Sequence, residues 1–159
     1  MNVAFTLNGK PVTVDAAPTE KLIDTLRETL HILSVKRGCE NGDCGACTVL
    51  VDGEAVTSCI YLTAKAQGRE VRTVEYYGTP GHLHPIQEKF KKYAAFQCGF
   101  CAPGMTLSAI SLLEHNPAPS EEQIRQALYG NLCRCSGYEG QLRGIMNFLA
   151  WKKQKEAAE

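Results

Sequence analysis

Eight cysteines divide this chain into two sets of four with different spacings, Cys39, Cys44, Cys47 and Cys59, then Cys98, Cys101, Cys133 and Cys135. The first set reads C-x4-C-x2-C followed by a lone cysteine after eleven residues, which is the plant-type [2Fe–2S] ligand spacing. Its loop interleaves Gly38, Gly42 and Gly45 with three of the thiols. Glycine lets the backbone take left-handed turns and bring N–H groups close to sulfur. Such donors lower the charge a cluster presents and help to set its potential. The second set, C-x2-C-x31-C-x-C, fits no plant-type template. It places two thiols on each of two short loops next to predicted helix ends, so that facing loops supply two ligands to each iron. A helix N-terminus nearby favours the thiolate form. The arithmetic points to two iron–sulfur clusters.

Two other uses of eight cysteines stand beside this one. Disulfides suit an even count, but Met1-Asn2-Val3-Ala4-Phe5 shows no basic stretch leading into an apolar one. A cytoplasmic location is therefore expected, where thiols serve metal or redox chemistry. Structural zinc takes four thiolates readily, yet zinc ribbons use two C-x2-C knuckles, to which the Gly-rich triplet is a poor match.

With 159 residues the chain has room for two small domains, each with a thin core that a cluster would cross-link. Seventeen basic and seventeen acidic residues cancel, which argues against nucleic acid as a partner. No apolar run reaches membrane-spanning length. Lys152, Lys153 and Lys155 read as a solvated helix end.

Strands are expected at 3–7 and 10–14 around Asn8-Gly9, a strong hairpin signal. Thr19 is the expected cap of a helix bearing Leu22, Ile23, Leu26 and Leu30 at helical spacing. Thr48-Val49-Leu50-Val51 and Glu54-Ala55-Val56-Thr57 form a second hairpin about Asp52-Gly53, and Val71, Thr73 and Val74 a further strand. Gly78-Thr79-Pro80-Gly81-His82-Leu83-His84 reads as a linker, in which the two histidines are solvated polar residues. Beyond it only helices are legible. Pro85–Ala95 forms one, Met105, Ala109, Leu112 and Leu113 stripe a second, and Ser120-Glu121-Glu122-Gln123 is a capping box opening a third. Leu142, Ile145, Met146 and Leu149 line a fourth, with Trp151 close behind. His31 and His115 sit at helix ends, where imidazoles contact terminal carbonyls. Dinucleotide fingerprints, P-loops and paired catalytic carboxylates are missing from the sequence, so no catalytic residue is assigned.

Three segments, Cys39-x4-Cys44-Gly45-Ala46-Cys47-Thr48-Val49, Gln97-Cys98-Gly99-Phe100-Cys101-Ala102-Pro103-Gly104 and Asn131-Leu132-Cys133-Arg134-Cys135-Ser136-Gly137-Tyr138, resemble the small iron–sulfur subunit of the xanthine oxidase family of molybdenum hydroxylases. The resemblance spans nearly the whole chain. It implies an α+β architecture, with a β-grasp, plant-type ferredoxin-like domain over residues 1–77, a linker over 78–84 and a four-helix all-α domain over 85–159, each domain holding one [2Fe–2S] cluster. It further implies an electron-transfer subunit, with molybdopterin on a large partner subunit and FAD on a medium one, in a dimer of heterotrimers. By the same resemblance Gln97 and Cys135 approach the pterin. The Cys98/Cys101/Cys133/Cys135 cluster then lies between molybdenum and the Cys39/Cys44/Cys47/Cys59 cluster, which faces the flavin. A free-standing two-cluster ferredoxin is the alternative, but such a carrier is ordinarily acidic, and this chain is neutral. Ala102 and Ser136 stand where this family more often has Thr, and Tyr138-Glu139-Gly140-Gln141 is an unusual continuation. The substrate of the complex is not written in this chain.

Overall fold

The computed structural model describes residues 1–135 and 137–158. Strands β1 (Asn2–Leu7) and β2 (Lys10–Asp15) form an antiparallel hairpin with Phe5 opposite Val12. Asn8 and Gly9 both take positive φ, 50° and 78°, the turn whose twist matches that of the strands it joins. Val3, Phe5 and Leu7 alternate inward. Each such side chain, when fully buried, contributes about 1.5–3 kcal/mol.

Across the sheet runs helix α1 (Leu22–Asp24), continued by a π-helical turn, Thr25–Thr29. Leu22, Ile23 and Leu26 are fully buried as the spacing requires. The expected Thr19 cap does not form. The residue before the helix is Lys21, which makes no side-chain cap bond, while the buried hydroxyl of Thr25 bonds Glu20 and Thr63. Beyond Asp24 the helix widens, and Leu30 N–H donates to the Thr25 carbonyl. Arg27 then donates to the carbonyls of Leu33 and Val35, securing the chain as it enters the cysteine loop.

Strands β3 (Thr48–Val51) and β4 (Glu54–Thr57) pair antiparallel, and β5 (Glu70–Arg72) lies between β1, parallel to it, and β3, antiparallel to it. The sheet order is β2-β1-β5-β3-β4. All of β3 is buried, which is why its four residues lack a polar alternation. Val49 and Val51 join the core beneath the sheet, whereas Leu50 joins the core of the helical half. The last strand ends earlier than expected. The Asn8 side chain accepts from Thr73 N–H and donates to its hydroxyl, taking Thr73 out of the ladder, and Val74–Tyr77 turns into a short helix, α2.

Helices α3 (Pro85–Lys92), α4 (Ala102–His115), α5 (Glu121–Leu128) and α6 (Glu139–Ala158) follow. His84, expected as a solvated linker residue, instead caps α3. Its Nδ1 accepts from Ile86 N–H while Gln87 reaches back to the His84 N–H, and burial lowers its pKa. The Ser120–Gln123 capping box forms as expected. Along α6 the inward face is rotated from the one expected. Gly140 and Gly144 come so close to Ala95 and Phe90 that a side chain at either would collide, which turns Gln141 into the core and leaves Met146 exposed.

Helix α4, buried from Gly104 to Ser111, lies against β3. At its C-terminal end Ser111 donates to the Gly53 carbonyl at 2.8 Å, Glu114 accepts from Tyr77 at 3.0 Å, and His115 pairs with Glu54 at 2.9 Å. The Ser111 carbonyl and then Glu54 raise the His115 pKa above its ordinary 6.5. A raised histidine stabilises fully below its unfolded value and loses that contribution as pH rises through the folded one. The melting temperature of wild type is therefore expected to exceed that of His115→Gln below pH 6.5. The gap should close at higher pH, as thermal melts across pH would show.

Candidate metal centres

The first cysteine set is split by depth. Cys47 and Cys59 are buried, Cys44 is half-buried and Cys39 is exposed. Cys47 ends the loop that enters β3, and Cys59 follows β4, so the β3–β4 hairpin delivers the inner pair. Ser58 fastens them, with both its N–H and its hydroxyl donating to the Cys47 carbonyl. The outer pair sits on the loop itself, where Cys39 N–H points at Cys44 Sγ (3.4 Å) and Cys44 N–H at Cys39 Sγ (3.3 Å).

Electrostatics follow the same division. Backbone N–H groups of Asn41 and Cys44 bring the Cys39 thiol down to about 6. Burial, followed by the Cys47 thiol, pushes Cys59 up to about 11, against a contribution from Gly42 N–H. A coordinating metal deprotonates such thiols outright. The loop presents its donors through left-handed residues, Glu40, Gly42 and Gly45. Glu40 adopts this conformation without being glycine, and its carboxylate pairs with Arg37. Gly38 serves differently, since a Cβ there would lie 2.6 Å from Cys44 Sγ. Arg37 also binds Asp24 (2.7 Å) and Glu28 (3.0 Å), tying the loop to the helical segment behind it.

The second set is gathered from two loops, and its pairing crosses between them. Cys98 Sγ lies 3.7 Å from Cys135 Sγ, both exposed, against about 2.05 Å for a disulfide. Cys101, buried at the start of α4, interacts with half-buried Cys133; burial, then that thiol, pushes Cys101 up to about 12. Each loop thus gives one thiol to an inner pair and one to an outer pair. Tyr138, at φ 71°, accepts from Cys133 N–H through its hydroxyl at 2.9 Å. Ser136 lies outside the described residues.

Among the described residues no group of three or more His, Cys, Asp or Glu is placed to hold a metal ion. The paired arrangement is instead that of a two-iron cluster, in which each iron takes two thiolates. Inner pairs walled by apolar side chains, and in the first set an outer pair supplied with N–H donors, fit such a group. The two loops also touch. Leu132 N–H donates to the Cys44 carbonyl at 2.9 Å.

Family models assign one cluster-binding domain to each cysteine set. Residues 5–73 match a 2Fe-2S iron-sulfur cluster binding domain and residues 73–146 a [2Fe-2S] binding domain. The nicotine 6-hydroxylase small subunit of Paenarthrobacter nicotinovorans is 48% identical over 141 residues, covering 89% of this chain and 85% of the relative. The xanthine dehydrogenase iron-sulfur-binding subunit of Escherichia coli O157:H7 is 45% identical over 144 residues, covering 87% and 88%. The chain belongs to the small iron–sulfur subunits of the xanthine oxidase family. The crystal structure of quinoline 2-oxidoreductase from Pseudomonas putida 86 superposes with a TM-score of 0.91 at 40% identity, covering 98% of this chain and 96% of that one.

Gln97 and Cys135, the residues that family membership brings into question for the pterin, are both exposed. Cys98, next to Gln97 in the chain and paired with Cys135, shares a cavity wall with two exposed apolar side chains, Phe100 (46%) and Leu132 (57%). This cavity, of about 370 Å³, is lined also by Cys133 and Tyr138. Sequence reasoning missed Ser58, Asn131 and Tyr138 as residues that hold the loops. Only their nearness to cysteines marks them, and hydroxyls or amides in such places have many uses.

Arg37 generates a prediction. Exposed ion pairs contribute roughly 0.2–1 kcal/mol each, so Arg37→Leu is expected to leave the fold intact while loosening the Cys39 loop. Visible absorbance in the presence of an iron chelator should decay faster than in wild type, with only part of the signal affected.

Proposed function

We propose that this chain is the electron-transfer subunit of a multi-subunit molybdenum hydroxylase or dehydrogenase. In this reading Cys39, Cys44, Cys47 and Cys59 ligate one [2Fe–2S] cluster and Cys98, Cys101, Cys133 and Cys135 another. The observation that carries it is the repeated inner and outer thiol pair, once in each half of the chain. A [2Fe–2S] cluster supplies reversible one-electron transfer. The protein's part is to hold the thiolates, exclude water from the inner pairs and leave the outer pairs near the surface.

The finer architecture we assign is a β-grasp domain over residues 1–77, a linker over 78–84 and a four-helix domain over 85–159. The first is supported by the mixed sheet crossed by α1. The separate cores above and below the sheet support the division, although Leu50 belongs to the second. We assign Gln97 and Cys135 to the approach of a molybdopterin held by the large subunit, because both are exposed beside Cys98, whose cavity is lined by the exposed apolar side chains of Phe100 and Leu132, of the kind a permanent partner would cover. The Cys39 side is assigned to a medium, FAD-binding subunit, and the whole to a dimer of heterotrimers. Zero net charge and exposed apolar residues around the thiols favour permanent burial over a diffusing ferredoxin. Among the described residues no helix is long and apolar enough to cross a membrane, and thiolate ligand sets of this kind suit the reducing cytoplasm. Relatives are named for nicotine, xanthine and quinoline. What the chain contributes is then the relay they have in common, with substrate choice left to the partner.

Purification of the affinity-tagged chain from its native source tests the reading. About four irons per chain, with molybdenum and FAD on larger co-purifying subunits, are expected. Iron without partners would contradict the complex, and zinc in place of iron would contradict the clusters. Within the complex, Cys47→Ser is expected to abolish one EPR signal and Cys135→Ser the other. Loss of both in either variant would contradict one cluster per half.

A further inference from the structure

The two cysteine loops meet at one carbonyl. Gly45, next to Cys44, points its C=O into a buried space where it accepts from Thr48 N–H (3.1 Å), Thr48 Oγ1 (2.7 Å) and Asn131 Nδ2 (3.2 Å). Asn131 belongs to the other half of the chain, two residues before Cys133. It is only 4% exposed, a depth at which an amide must find partners. Its own N–H is bound to the Leu128 carbonyl at the end of α5, so the side chain projects from a fixed base. The Thr48 hydroxyl lies 3.5 Å from the same Nδ2. The neighbouring Leu132 N–H takes the Cys44 carbonyl, so consecutive residues of one loop hold consecutive carbonyls of the other.

No side chain separates these segments. A Cβ on Gly45 would stand 2.3 Å from the Gly130 carbonyl and 2.6 Å from Asn131 Nδ2. One on Gly104, in the first turn of α4, would stand 2.2 Å from the Gly45 carbonyl. Three glycines and one amide therefore bring backbone against backbone where the cysteine loops adjoin.

We infer that Asn131 is a positioning residue for electron exchange between the two clusters, its side-chain amide clamping the Gly45 carbonyl and so fixing the separation of the two cysteine loops. The inference rests on the two-cluster reading above. Electron tunnelling falls steeply with distance, so a small retreat of one loop from the other slows exchange without altering either ligand set. The amide acts as a donor: its nitrogen faces a carbonyl oxygen, and an oxygen there would repel it.

That chemistry separates a clamp from a space-filler. Asn131→Asp keeps the volume but presents oxygen to oxygen, and Asn131→Ala merely removes the donor. In the purified holo complex with both clusters reduced, the spin–spin interaction seen by EPR is expected to weaken in Asn131→Ala and further in Asn131→Asp. Electron equilibration between the clusters after a reducing pulse should slow several-fold, with iron content and both midpoint potentials unchanged. Gly104→Ala, whose methyl would press hardest on the Gly45 carbonyl (2.2 Å) and less on the amide nitrogen (3.3 Å), should act in the same direction and carries the test if the Asp variant fails to assemble. Unchanged coupling and rate in Asn131→Asp, or in Asn131→Ala and Gly104→Ala together, would overturn the inference. So would a shift confined to the midpoint of the Cys98/Cys101/Cys133/Cys135 cluster, because Asn131 would then be acting within its own loop. Iron analysis of the wild-type complex in the same preparation distinguishes failure of the clamp from failure of the two-cluster reading.

Discussion

Sulfurs held in pairs as close as Cys98 and Cys135, 3.7 Å apart, repel as soon as both ionise, and the fold is arranged around making that tolerable. In the first set the repulsion is met by backbone donors. Asn41 and Cys44 N–H groups aimed at Cys39 bring its thiol down to about 6. These donors converge only because Glu40, Gly42 and Gly45 are left-handed. The loop keeps that shape because Arg37 fastens it to Asp24 and Glu28. The helical segment bearing those carboxylates is held in turn by Leu22, Ile23 and Leu26, buried under the sheet. A chain of causes thus runs from apolar spacing, through the crossing helix, to the charge a cluster would meet.

The second set reaches a related end by different means. No single loop supplies it. Cys98 and Cys101 precede α4, Cys133 and Cys135 follow α5, and the pairing crosses between them. Its geometry depends on the packing of helices, and that packing depends on close contacts such as those of Gly144 with Phe90 of α3 and of Gly140 with Ala95 just beyond it. In both sets the deepest thiols are inner ones (Cys47, Cys59 and Cys101) and the most exposed are outer ones (Cys39, Cys98 and Cys135), with Cys44 and Cys133 half-buried between them. For a relay this ordering is functional: buried ligands exclude water from one side of a cluster while the exposed side lies open to a partner. The exposed apolar side chains of Phe100 and Leu132 beside the second set are in keeping with a partner that stays.

How much of this is written locally decides how much the sequence discloses. The Asn8-Gly9 and Asp52-Gly53 turns and the Ser120 capping box are short-range codes, and each forms where the residues place it. Long-range effects were not legible. Asn8 ends β5 early by bonding Thr73, far along the chain. Thr25 spends its hydroxyl on Glu20 and Thr63, and the helix widens beyond it. His84 turns out to be a cap because Gln87 completes its box. Two glycines rotate α6 so that Gln141 is buried in place of Met146. Asn131 is the clearest instance, since nothing in its neighbours foretells that its amide meets a carbonyl from the other half of the chain.

Stepwise reduction of the native complex with dithionite, followed by EPR at each step, decides whether both thiol sets hold clusters. Two [2Fe–2S] signals with separate midpoints, each integrating to about one electron per chain, are expected if both thiol sets hold clusters. A single signal accounting for all the iron would contradict two clusters.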